Sequence, residues 1–118
     1  MINRIQIFDL AKASYNILPD YPWEKYPNYA VLRHHNNGKW FGLIMDISKN
    51  KLNLVGNEKI DILNLKAPKE FIGPLRKKKG IYPAYHMDKS NWISINLSEI
   101  DNLHEIQDLI AESFALTS

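Results

Sequence analysis

Apolar residues recur near the helical period at the start of the chain. Ile5, Phe8, Ala11, Tyr15 and Leu18 form one stripe along residues 3–17, which predicts a helix. Asn3 suits its start, with Gln6 three residues on, and Pro19 ends it. The stiff connector PDYPWEKYP follows, carrying Tyr21, Trp23 and Tyr26. The period then changes to two. YAVLRHH and KWFGLIMDI flank Asn37-Gly38, a pair that tolerates positive φ, which predicts a tight hairpin. In the return strand Phe41, Leu43, Met45 and Ile47 share one face; Trp40, Gly42, Ile44 and Asp46 share the other. Residues 51–55 and 59–65 read as two further strands.

Residues 67–80 read as a helix with an apolar stripe of Phe71, Ile72 and Leu75, kinked or split at Pro74 and stopped by Gly80. Residues 81–91 read as loop. WISINL alternates as a strand over 92–97, with Ile93, Ile95 and Leu97 on the apolar face and Trp92, Ser94 and Asn96 on the other. The chain closes on an amphipathic helix whose stripe is Leu103, Ile106, Ile110 and Phe114, with Asn102 and Glu105 as a capping box. The order α-β-β-β-β-α-β-α argues an α+β fold: an antiparallel sheet of about four to five strands with N- and C-terminal helices packed on it. Residues 1–118 make one domain.

Apolar residues are 45% of the chain and charged residues 24%, as in globular domains. Cysteine is absent, which removes disulfide and thiolate chemistry. Charges interrupt MINRIQIFDLAK before a signal peptide's apolar core can form, and runs such as FGLIM are too short to span a bilayer. The expectation is a soluble cytoplasmic protein without a membrane partner, monomeric by default.

The net charge of +2 is unevenly spread. Residues 66–90 carry seven Lys/Arg against two Asp/Glu, and residues 91–118 carry five acids and no Lys/Arg. Either the two segments neutralise each other in the fold, or the first presents a positive face to an anionic partner.

The five glycines are too dispersed for a phosphate-cradling loop. His34 and His35 point to opposite faces of a strand, and no helical His pair exists, so neither a metal nor a cofactor is expected. His86, beside Tyr85 and near Asp88, is the residue best suited to acid–base work; the alternative is that it holds the loop by hydrogen bonds. Three features favour nucleic acid. Arg76, Lys77, Lys78, Lys79 and Lys89 suit phosphates. Tyr82, Tyr85 and Trp92 suit stacking. Arg33 and Lys39 flank a hairpin that could serve as a wing. The lysines, the two tyrosines and Trp92 each have a plainer reading: a solvated helix end, a packed proline loop, and a lid of Trp92 against Trp23 or Trp40.

The stretch Leu75-Arg76, Gly80, PAYHMDK (Pro83 to Lys89) and Trp92 resembles the MmcQ/YjbR family, as do YPWEKYP and the Gly-Lys-x-Phe hairpin. The resemblance covers nearly the whole chain. It implies a compact α+β double-wing domain, a non-enzymatic DNA-binding role assigned on shape, and double-stranded DNA as partner. On that basis the expected contacts are Arg76, Lys77, Lys78, Lys79, Lys89, Arg33 and Lys39. Tyr85, His86, Trp92 and Trp23 form an aromatic corner that Tyr85 and His86 fix by hydrogen bonds. The alternatives are a protein- or small-ligand-binding module using Trp23, Trp40, Tyr85 and Trp92, and an enzyme centred on His86. The chain departs from the pattern at Asp88, where the family often has Asn, and at Asn91, where it often has His. The first puts a negative charge among the cations and the second removes a candidate catalytic group.

Overall fold

The computed structural model describes residues 1–118. Helix α1 spans Arg4–Tyr15, and its capping box is closed in both directions: Asn3 accepts from the Gln6 N–H and Gln6 accepts from the Asn3 N–H. The helix stops before Pro19, at Asn16, which adopts a left-handed conformation. Its buried residues are Ile7, Leu10 and Ala11, whereas Ile5 and Leu18 of the expected stripe are exposed.

Five strands follow: β1 Ala30–Arg33, β2 Trp40–Ser48, β3 Lys59–Lys66, β4 Ile81–Pro83 and β5 Trp92–Asn96. They form one antiparallel sheet in the order β1-β2-β3-β5-β4. A single helical turn, α2 (Ile72–Leu75), and the final helix α3 (Leu103–Thr117) complete the fold. Residues 51–55 are not a strand: a 3₁₀ turn occupies Lys49–Leu52 and Asn53 closes it at positive φ. The expected helix over 67–80 shrinks to a 3₁₀ turn plus α2, because Pro74 has no N–H to donate and Arg76 to Gly80 turn into β4. That edge strand lies where loop was expected. The β1–β2 connection is a six-residue loop, 34–39, rather than a two-residue turn, and only Gly38 of the Asn-Gly pair takes positive φ.

α1 and α3 cover one face of the sheet. Ile7, Leu10, Ile106 and Ile110 pack there against Ile44, Leu63, Leu65, Ile93 and Ile95. No residue of α1 or α3 belongs to the cluster on the other face, where Val31, Leu43, Met45, Ile47, Leu52 and Ile62 lie under Trp23, Tyr29, Trp40, Tyr85 and Met87. A β-bulge decides which residues of β2 serve which face. Leu32 opposes Gly42 but Arg33 opposes Trp40, so Phe41 has no partner. Phe41 therefore joins Ile44 under the helices, and Trp40 joins Leu43 and Met45, reversing the simple alternation at that end.

The β1–β2 loop docks on α3. The Asn37 amide donates to the Thr117 carbonyl at 3.1 Å, and buried His34 bonds the Thr117 hydroxyl at 2.8 Å. The Ser113 hydroxyl donates to the Phe41 carbonyl and accepts from the Lys66 N–H, tying α3 to β2 and β3. At the start of α3, Asn102 caps the helix by accepting from the His104 N–H rather than from Glu105, and Glu105 does not reciprocate, so the expected capping box does not form.

Candidate functional site

The helix-free face carries the candidate site because two irregular segments roof it incompletely. One is the proline-rich connector at 20–29. The other is the turn Tyr85–Met87, which the fold holds in a specific way. Asn64 on β3 and Ser94 on β5 are partners in register and both are buried. The Ser94 hydroxyl donates to Asn64 Oδ1 at 2.5 Å and accepts from the Tyr85 N–H at 2.8 Å. The Asn64 amide donates to the Tyr85 carbonyl at 2.9 Å. Three buried polar partners are thereby satisfied at once, and the turn is fixed to the sheet. Asp88 folds the far end back by accepting from the Ser90 N–H and the Asn91 amide. The Asn91 bond, then the Ser90 bond, hold its carboxyl below the usual range, with a smaller contribution from Lys69.

His86 follows at φ 60, exposed, its ring tilted against Tyr85 at 4.1 Å. Its imidazole makes no hydrogen bond within the chain. The expectation that Tyr85 and His86 fix the corner by hydrogen bonds is corrected for His86: Tyr85 is bonded there through its backbone, and its partners are Asn64 and Ser94.

Between the two segments lies a cleft of about 310 Å³ lined by Trp23, Tyr26, Tyr29, Trp40, Leu43, Met45, His86 and Met87. Trp23 meets Trp40 edge-on at 5.6 Å and Tyr29 edge-on at 6.0 Å, while Tyr26 stacks on Tyr29 at 4.7 Å. The edge-to-face contacts brace the rings of Trp23, Tyr29 and Trp40 against one another. Burial raises the Tyr29 phenol above its ordinary pKa, helped by Tyr85 and Asp46. Trp92, half-buried opposite Lys66 on β5, is not part of the lining.

Of this lining the sequence marked Trp23, Trp40 and His86, with Met87 noted only within the PAYHMDK turn, and missed Tyr26, Tyr29, Leu43 and Met45. Strict alternation put Trp40 and Leu43 on opposite faces. Gly42 was the available signal of a bulge, since a side chain there would press Leu32 Cδ1 at 3.2 Å.

The basic residues do not converge. Arg76, Lys77, Lys78 and Lys79 are exposed in the turn before edge strand β4. Arg33 and Lys39 lie by the opposite edge, β1–β2, roughly 19 Å away by strand spacing. Arg33 is committed to an ion pair with Asp20 at 2.5 Å. Lys78 and Lys79 share a depression with Glu99, Asp101 and Glu105. Glu99 also accepts from the Tyr82 hydroxyl at 2.5 Å and the Asn96 amide at 2.8 Å. Burial, and then that bond, push the Tyr82 phenol up to about 12. Lys89 sits apart from the cluster, near Lys51 on the helix-free face. No group of three or more His, Cys, Asp or Glu is placed to hold a metal ion. No helix is long and apolar enough to cross a membrane.

An α+β domain with a five-stranded antiparallel sheet, helices on one face and loops on the other is the class these observations define. The chain belongs to the YjbR family, whose model matches residues 6–116. It is 55% identical over 117 residues to the uncharacterised protein YyaQ of Bacillus subtilis, covering 99% of both chains. A crystal structure of a Pseudomonas syringae protein superimposes with a TM-score of 0.96 at 48% identity, over 99% of this chain and 100% of that one. A solution structure from Pseudomonas syringae gives 0.89, also at 48% identity, over 99% and 94%. The Deinococcus radiodurans protein DR2400, described by its DUF419 domain, shares the fold at a TM-score of 0.72 and 17% identity, over 98% and 78%.

Proposed function

We propose that the chain is a non-enzymatic binding protein whose site is the aromatic cleft on the helix-free face. One observation carries this reading: two tryptophans and two tyrosines converge with Met45 and Met87 around open volume, on a sheet face that only loops cover. Apolar clefts with a few polar groups at the rim are the usual form of ligand sites. Methionines adapt their shape to what enters. Binding is favoured over catalysis because His86, the one imidazole in the lining, has no partner to orient it as a base. A monomer in the cytoplasm completes the proposal.

The test is a titration of tryptophan emission with uncharged planar aromatics such as indole and adenosine. The expected result is a saturable change that added salt does not weaken, lost in Trp40→Ala and kept in Trp92→Phe. No saturable change in the wild type overturns the reading.

A second reading, duplex DNA binding, is supported by Arg76, Lys77, Lys78, Lys79 and Lys89, which are exposed and outside the ion pairs of the chain. Phosphate-led binding weakens steeply with salt because counterions are released. Duplex affinity that falls with salt and is lost when Lys77, Lys78 and Lys79 become Gln supports it. Equal affinity of the two proteins removes it.

A further inference from the structure

A second, smaller depression adjoins the aromatic cleft. It measures about 110 Å³ and is lined by Lys51, Leu52, Asn53, Tyr82, Tyr85 and Lys89 among others. The wall between the two is the turn Tyr85–Met87: Tyr85 lines the small depression, and His86 and Met87 line the cleft. Lys51 and Lys89 take part in no ion pair. Neither the Asn53 amide nor the Tyr85 hydroxyl makes a hydrogen bond within the chain, although many of their neighbours do. Two lysines outside every ion pair, with Asn53 and Tyr85, whose side-chain polar atoms have no partner in the chain, thus line one small concavity. Asp88, the acid next to Lys89, is occupied with Ser90 and Asn91.

We propose that this depression is an anion subsite and that the ligand is a planar ring bearing a single phosphate, the chemistry of a nucleotide. The inference rests on the aromatic cleft being a binding site and names what enters it. The ring lies in the cleft against Trp23 and Trp40, where stacking is tolerant of ring identity. The phosphate lies across the turn, against Lys51 and Lys89, as a charge-assisted hydrogen-bond acceptor. The charge argues for this class, because a neutral apolar ligand leaves both lysines and Asn53 unused. The size argues for one phosphate rather than a chain of them. A free nucleotide and a nucleotide within a single strand present the same unit.

The experiment measures, by tryptophan emission, the affinities of adenosine, adenosine 5′-monophosphate, inorganic phosphate and a single-stranded oligo-deoxyadenylate. It compares wild type with the double variant Lys51→Gln, Lys89→Gln. The expected result is a monophosphate affinity about tenfold above that of adenosine, on the order of one charge-assisted hydrogen bond at an exposed site. The double variant should lose that advantage and bind adenosine as the wild type does. Tighter binding of the oligonucleotide than of the monophosphate assigns the unit to a single strand; equal or weaker binding assigns it to the free nucleotide. Equal affinity of adenosine and its monophosphate for the wild type overturns the anion subsite and leaves the cleft. No binding of any aromatic probe overturns both.

Discussion

Ser94 Oγ and Asn64 Oδ1 meet at 2.5 Å across β3 and β5, and between them the two side chains hold both backbone groups of Tyr85. Both lie on the face that strand alternation leaves without Ile93 and Ile95. They convert a polar interruption of that face into the clamp that positions one wall of the cleft. Asn64→Leu removes a partner from the Tyr85 carbonyl and from Ser94 together. The expected loss is about 1–3 kcal/mol of stability by chemical denaturation, the cost of orphaned buried polar groups. Amide exchange should quicken at Tyr85 more than in α1. Unchanged exchange there means the clamp is not what holds the turn.

His86 gives a contrasting expectation. It is exposed, makes no hydrogen bond within the chain and adopts φ 60. His86→Gly removes the steric penalty of the left-handed conformation and should hold or raise stability, by up to about 1 kcal/mol. His86→Ala should stay within roughly 0.5 kcal/mol of the wild type. A loss several times larger restores the imidazole as the element that ties the corner.

His34 predicts the acid sensitivity of the fold. It is buried against Phe41 and Phe114, with its Nε2 on the Thr117 hydroxyl. That hydroxyl donates to the Ser113 carbonyl, so it accepts from a protonated Nε2. Burial holds the imidazole below its ordinary 6.5; the Phe114 backbone opposes this and Lys39 adds to it. The unfolded chain therefore takes up the proton first as pH falls. Stability from this group is complete above 6.5 and is lost progressively below it, down to the folded-state value. Denaturation midpoints between about pH 7.5 and pH 5 should fall in the wild type and fall less in His34→Gln. Identical slopes refute a neutral buried His34.

Arg4 and Asp61 join α1 to the sheet. The guanidinium donates twice to the carboxylate, at 2.9 Å each, and once to the Asn28 carbonyl at 2.7 Å. Asp61 faces Asp46 across β2 and β3, so Arg4 also screens two like charges. The side chains are 19% and 31% exposed, which places the pair between surface and buried behaviour. Arg4→Met should cost about 1–3 kcal/mol in thermal or chemical unfolding, and more than Asp61→Asn, because it leaves both carboxylates facing each other. Equal losses in the two variants argue against the screening role.

The strongly periodic parts of this fold were legible in the sequence. α1, α3, β2, β3 and β5 stand where their apolar patterns put them, although Ile5 is exposed and the β2 alternation breaks at Phe41, and the Asn3–Gln6 cap marks its helix start correctly. The short parts were not. Lys51 to Val55 alternates like a strand, yet the backbone leaves the sheet in a 3₁₀ turn that Asn53 closes at positive φ. β4 has three residues and exists because β5 offers it a free edge, a tertiary cause without a local pattern. The site was half legible. Trp23, Trp40 and His86 stand out by residue type, but the convergence of Trp40 with Leu43 and Met45 depends on the bulge opposite Arg33. The basic run was conspicuous, but its relation to the hairpin was decided by strand order. β5 inserts between β3 and β4, which carries Arg76 to Lys79 to the edge opposite Arg33 and Lys39.

The most direct measurement is a nuclear magnetic resonance map of the three indole N–H groups and the backbone amides, titrated with adenosine 5′-monophosphate and separately with duplex DNA. The monophosphate should move Trp23, Trp40 and the amides of residues 84–89, with Trp92 and residues 76–79 unmoved. Shifts confined to Arg76 through Lys79 on adding duplex, with Trp23 and Trp40 silent to both ligands, would contradict this.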